Sequence, residues 1–213
     1  MPRRLTRKQK QEHTRSCLMK SAAKVFARRG LQNASIDEVA EDAGYTKGAF
    51  YANFKSKEEL FLAMLDERFA ERLEEINAVI ETDDEPEDQA FQAGVDFTRY
   101  LTADPNWQRL FFEFTAHAAR DDDFREELVT RYGSLRERIA AAFEKQAARL
   151  EVTPPVPVEQ LALMTFAMAN GVALEKLLEP EVVDDQLYGT MLLIFFTGLR
   201  ALAETPVGAE APT

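Results

Sequence analysis

Two copies of one short pattern constrain the first third of this chain. Ser35-Ile36-Asp37-Glu38 and Ser56-Lys57-Glu58-Glu59 both read S-x-x-E. In that arrangement a serine hydroxyl accepts from the backbone N–H three residues on, and the glutamate reaches back to the N–H of the cap. One helix therefore starts after Ser35 and another after Ser56, and Gly44 closes the first. Between them lies Tyr45 to Lys57, YTKGAFYANFKSK, which is aromatic, basic and free of carboxylates. Thr46 can cap a short helix here, expected over Lys47 to Lys55. At about 100° per residue, Phe50 and Phe54 share the side that packs, while Gly48, Tyr51, Ala52 and Lys55 gather on the opposite side.

Helical spacing continues through the chain, and no segment alternates as strands do. Leu18, Ala22, Val25 and Phe26 form a stripe ended by Gly30. Phe61, Leu65, Phe69, Leu73, Ile76 and Ile80 predict a long helix to about residue 81. Thr82 to Asp88, TDDEPED, is an acidic linker. Beyond it the pattern predicts helices over about 89–102, from Pro105, from the acidic turn at 121–123 to Leu150, then 158–178 and 185–204, with a short frayed tail. The expected fold is all-α with about nine helices: a three-helix head over residues 1–57 and a helical bundle over 58–213.

Charge divides the same way. Residues 1–60 carry 13 Lys/Arg against 7 Asp/Glu, and the remainder carries 13 against 30. A basic head on an acidic body attracts a polyanion in one orientation. There is no unbroken run of eighteen apolar residues and no apolar core behind the basic N-terminus, so neither a membrane span nor a secretory leader is expected. The single cysteine, Cys17, excludes an internal disulfide and suits a reducing cytoplasm. Two histidines cannot build a convincing zinc set. No phosphate loop or nucleophile motif is present, so neither a cofactor nor an enzyme activity is expected.

The residue types on the outer side of Lys47–Lys55 suit a DNA duplex. Gly48 and Ala52 let a helix approach base edges closely. Tyr51 offers a hydroxyl to phosphate, and Lys47, Lys55 and Lys57 release counterions. Thr46 and the first N–H groups can hold a phosphate oxygen. Two short helices joined at Gly44 make a helix-turn-helix. The basic residues Arg3, Arg4, Arg7, Lys8 and Lys10 form either a groove-tracking arm or a solubilising tail.

The block SIDEVAEDAGYTKGAFYANFKSKEELF resembles the DNA-binding signature of the TetR family of bacterial regulators, and the resemblance extends over about residues 14–61. It implies that Thr46, Lys47, Gly48, Tyr51 and Lys57 contact DNA. Tyr45 replaces a residue usually aliphatic in that family and could reach a base or sugar. Ala52 and Lys55 stand where the family often has histidine or another large polar residue, and proline. The remainder resembles the family in outline, as a ligand-binding and dimerisation bundle. ANGVALEKLLEP, with Gly171 inside an apolar helix, resembles its penultimate helix, where a close helix crossing would offset the glycine.

Met191 to Phe196 is apolar on every side, so the last helix needs neighbours all round. Either it is central in a monomer, or a second copy covers it through Leu192, Phe195, Phe196 and Leu199, with Gly189 and Gly198 permitting close approach. Phe97, Tyr100, Trp107, Phe111, Phe114, Met164 and Met168 either fill a solid core or line one apolar cavity. In the second case His117, Asn170 and Glu113 would be its polar handles. The expected function is a homodimeric repressor released from a palindromic operator by a bulky hydrophobic or aromatic small molecule. The alternatives are a small-molecule-binding helical protein, or an enzyme on that scaffold, whose head binds another polyanion or a protein, and a DNA-architectural protein without sequence preference.

Overall fold

The computed structural model describes residues 6–204, and among these it is all helical. The order is α1 (Arg7–Asn33), α2 (Ile36–Asp42), α3 (Lys47–Tyr51), α4 (Lys57–Ile80), α5 (Pro86–Ala103), α6 (Pro105–Ala118), α7 (Asp122–Arg149), α8 (Val158–Leu178) and α9 (Leu187–Glu204). Arg3 and Arg4 of the expected basic arm lie outside the described residues, as does the tail beyond Glu204. Arg7, Lys8 and Lys10 are part of α1, which begins earlier than the apolar stripe indicates. Its start is a capping box of its own: the Thr6 hydroxyl accepts from the Gln9 N–H, and the Gln9 side chain accepts from the Thr6 N–H.

The chain divides into two compact units, and the division differs from the boundary read after residue 57. One unit holds the chain up to Phe69 together with Pro105–Arg131; the other holds Ala70–Asp104 and the chain from Tyr132. In the first, α1, α2 and α3 close over Leu18, Ala22, Val25, Phe26, Val39, Phe50 and Phe54, all nearly or wholly buried. Phe61 of α4 stacks on Phe114 of α6 with ring centres 3.7 Å apart, and on Trp107 at 5.6 Å. Phe26 of α1 meets Phe114 edge-on at 5.9 Å. The edge-on pair adds about 0.5–1.5 kcal/mol beyond the area it buries. Glu113 of α6 accepts the Leu31 N–H at 2.7 Å, just past Gly30, whose φ of +72° breaks α1 there. That conformation favours glycine.

In the second unit α5 and α9 pack most extensively. They cross glycine on glycine: a Cβ on Gly94 would stand 2.5 Å from the Gly189 nitrogen, and one on Gly189 would stand 2.6 Å from the Phe91 carbonyl oxygen. Gly189 therefore serves a crossing within the chain rather than contact with a second copy. Tyr188 donates from its buried hydroxyl to the Thr165 carbonyl of α8 at 2.9 Å. Gly171, expected at a close crossing, has nothing of this chain within 4 Å of where its Cβ would stand. Helices α8 and α9 are long and apolar enough to cross a membrane by length and composition alone. Helices that pack in water-soluble bundles pass the same test.

Candidate nucleic-acid interface

The turn between α2 and α3 is built from local chemistry. Gly44 adopts φ +75°. Its N–H donates to the Glu41 carbonyl at 2.9 Å, and the Tyr45 N–H donates to the Ala40 carbonyl at 2.8 Å. This is the Schellman closure of a helix. Ser35 and Glu38 form the expected capping box on α2. Thr46 caps α3 by accepting the Ala49 N–H at 3.2 Å. Phe50 and Phe54, each 1% exposed, anchor the segment inward, as their spacing predicts. Thr46, Lys47, Gly48, Tyr51, Ala52 and Lys55 are exposed, and Tyr45 is half-buried. The Tyr51 ring rests edge-on against Phe50 with ring centres 5.7 Å apart.

Helix α3 ends at Tyr51 rather than continuing to Lys55. Neighbouring side chains take the groups that another turn would use. Asn53 donates from its amide to the Ala49 carbonyl at 2.8 Å. Arg15 of α1 donates to the Asn53 carbonyl at 3.0 Å, with its guanidinium 4.2 Å above the centre of the Phe54 ring. The Lys55 N–H donates to the Glu59 carboxylate at 2.6 Å. Hence the second capping box forms only in part: Ser56 accepts the Glu59 N–H, but the carboxylate holds Lys55 instead of Ser56.

Lys57 is occupied differently from the expected phosphate contact. Its ammonium donates to the carbonyls of Leu31 at 2.7 Å and Ala34 at 2.9 Å, tying the start of α4 to the connection between α1 and α2. Lys47 donates to the Asp37 carboxylate of α2 at 2.9 Å. That bond, with the charge of Asp37, raises the lysine above its ordinary value. Two other acids of α2 pair with α1: Glu38 with Arg29 at 3.2 Å and Asp42 with Arg28 at 3.4 Å. Glu38 is held below the usual carboxylate range by the Ser35 backbone N–H and by Arg29. No local pattern in the sequence links Asp37 to Lys47 or Arg15 to Asn53, whereas Glu59 is legible as a capping glutamate and differs only in holding Lys55 in place of Ser56. The Thr6–Gln9 box was legible, since it repeats the pattern read at Ser35.

A Cβ on Gly48 would meet only the Thr46 hydroxyl oxygen, at an ordinary 3.7 Å. Nothing in the chain demands glycine there, so the open space faces outward. The segment therefore offers one shallow face with a helix N-terminus, a hydroxyl, a phenol and cations, backed by two buried rings. Such a face suits a polyanion with readable edges.

The expected ligand residues divide between the two units. Trp107, Phe111, Phe114 and His117 belong to the first, where Phe114 and Trp107 are buried in the stack on Phe61. His117 lies 3.9 Å from Glu58, 3.7 Å from Asp121 and against Phe124. Glu113, expected beside His117 as a polar handle, is taken by the Leu31 N–H. Phe97, Tyr100, Met164, Met168 and Asn170 belong to the second unit. There the Arg72 guanidinium lies 5.2 Å from the ring centre of Phe97 and 5.7 Å from that of Tyr100, and it pairs with Glu75. Of the expected dimer residues, Leu192 is buried by its own chain and Phe196 meets Phe143 edge-on at 5.5 Å. Phe195 and Leu199 are half-buried. Among the described residues no three His, Cys, Asp or Glu side chains gather in a metal-binding group.

Comparison with known proteins agrees with this geometry. Residues 18–64 match the family of bacterial regulatory proteins named for tetR, and residues 86–199 match the C-terminal region of BetI-type transcriptional repressors. The chain is 28% identical over 209 residues to the HTH-type transcriptional regulator TtgR of Pseudomonas putida, covering 93% of this chain and 96% of that one. It is 25% identical over 165 residues to the HTH-type transcriptional repressor AcnR of Corynebacterium efficiens, covering 75% and 79%. The structure of Salmonella enterica GusR superposes with a TM-score of 0.69 at 23% identity, covering 92% and 98%. With both regions matched and the helix-turn-helix in place, the chain belongs to the TetR family of bacterial regulatory proteins, DNA-binding transcriptional regulators rather than enzymes.

Proposed function

We propose that this regulator is a cytoplasmic homodimeric repressor that holds a palindromic operator through two copies of α3 and leaves it when a bulky apolar or aromatic molecule binds. The observation that carries the DNA reading is the face of α3. Thr46, Lys47, Gly48, Tyr51 and Lys55, with Tyr45 at the turn, stand opposite buried Phe50 and Phe54. Lys57 acts from behind, fastening the turn before α2.

The dimer reading rests on α8 and α9. Leu163, Ala167, Gly171, Leu174 and Leu178 recur at helical spacing and are exposed, as are Leu187, Ile194, Gly198 and Leu202. An apolar stripe on each of two helices, with open space at Gly171 and at Gly198, suits a four-helix interface between two copies. The effector reading rests on Phe97, Tyr100, Met164, Met168 and Asn170, which belong to one unit; rings and thioethers favour an apolar or aromatic molecule.

Selection of duplexes from a random pool, at two salt concentrations, tests the reading. A near-palindromic site with half-sites about 34–36 Å apart is expected. Enrichment of no site would overturn it in favour of a head that meets another polyanion or a protein; tight binding without preference would favour an architectural protein. Ile194→Glu should dissociate the dimer in sedimentation and weaken operator binding. A variant that remains dimeric would remove α9 from the interface.

A further inference from the structure

We propose that Asp37 and Lys47 act together as the reader of one G·C base pair in each half-site, a proposal that rests on α3 meeting DNA. One carboxylate of α2 is turned away from α1. Asp37 is paired not with α1, as Glu38 and Asp42 are, but with the first residue of the reading helix. Both partners are more than half exposed, at 54% for Lys47 and 63% for Asp37. An exposed pair of this kind adds little to stability. Beside a polyanion an extra carboxylate is a cost unless it finds a donor.

The donors that a duplex offers are exocyclic amines. In the major groove a carboxylate accepts from cytosine N4, and a lysine donates to guanine O6 and N7. These groups sit side by side on one G·C pair, as the carboxylate and ammonium do at the start of α3, 2.9 Å apart. The contact also aims Lys47. Its ammonium is held by Asp37, so it is withheld from phosphates that any sequence would supply.

Asp37→Asn tests the proposal, because it keeps the shape and a hydrogen-bond acceptor while removing the charge. Random-pool selection is run on wild type and variant, with thermal melts to establish that both are folded. Wild type should enrich a G·C pair at one position of each half-site. The variant should lose that preference about five- to tenfold. It should also bind non-specific duplex more tightly, with a salt slope steeper by about one phosphate, near 0.9 per contact. Lys47→Ala should lose the same base preference without the gain in non-specific binding. Unchanged base preference and salt slope in Asp37→Asn would overturn the proposal while leaving the DNA face standing. A wild type that enriches no site would remove the DNA face itself.

Discussion

Helix α3 and helix α9 place their apolar residues in opposite ways. Helix α3 and the turn after it carry two rings inward, Phe50 and Phe54, and leave a small, basic and polar side open. Helix α9 is apolar over most of its length. It buries Tyr188, Gly189 and Leu192 in its own chain and still exposes Ile194 at 67% and Leu202 at 63%. Both carry a glycine with room beside it, Gly48 before the reading face and Gly198 on the open stripe. The contrast lies in what could fill that room. Beside Gly48 stand cations and hydroxyls, which suit a charged, hydrated partner. Beside Gly198 stand leucine and isoleucine, whose exposed apolar area suits a second copy.

The contrast can be broken at its strongest points first. Phe50→Ala should remove about 3–5 kcal/mol from the head, since it empties a fully buried ring site. Hydrogen exchange would show α2 and α3 opening and DNA binding would be lost, while α8 and α9 stay protected. Gly94→Ala should act on the other unit, costing about 1–3 kcal/mol by forcing a methyl against the α9 backbone. Denaturant unfolding would show it, and protection at α5 and α9 should fall. If protection fell instead at α2, the two units would not respond separately.

Ser35→Ala should cost about 1 kcal/mol through loss of the cap on α2. Its partner adds a pH dependence. Because the folded Glu38 is held below its usual range, its stabilising effect is fully present above the ordinary glutamate value of about 4.3 and is lost as pH falls through the lowered value. Thermal melts at stepped acid pH should therefore show Glu38→Gln converging on wild type as pH falls. The smallest effect on stability belongs to Gly48→Ala. It should leave the fold unchanged or strengthen it by up to about 1 kcal/mol, yet weaken operator binding in a mobility assay. A glycine required by the fold would give the reverse result.

Much of the head was legible because its signals are local. A capping serine, a closing glycine and two rings four apart act within one or two turns of chain, so Ser35, Gly44, Thr46, Phe50 and Phe54 stand as read. The end of α3 was not, because Arg15 reaches it from α1, 38 residues away along the chain. The expected aromatic cavity divided for a similar reason. Helical spacing places Trp107 and Phe114 on one face of α6 but does not name the partner of that face, which is Phe61.

The sequence by itself determined the helices, the turn that makes two of them a helix-turn-helix, and the family. Periodicity and capping are properties of neighbouring residues, and the family signature lies in one continuous stretch. Only the tertiary structure decided that Lys57 fastens a turn, that Lys47 is held by Asp37, and that Gly189 meets Gly94 instead of another copy. Each of these joins residues far apart along the chain, and periodicity carries no information about which helix a given side chain will meet.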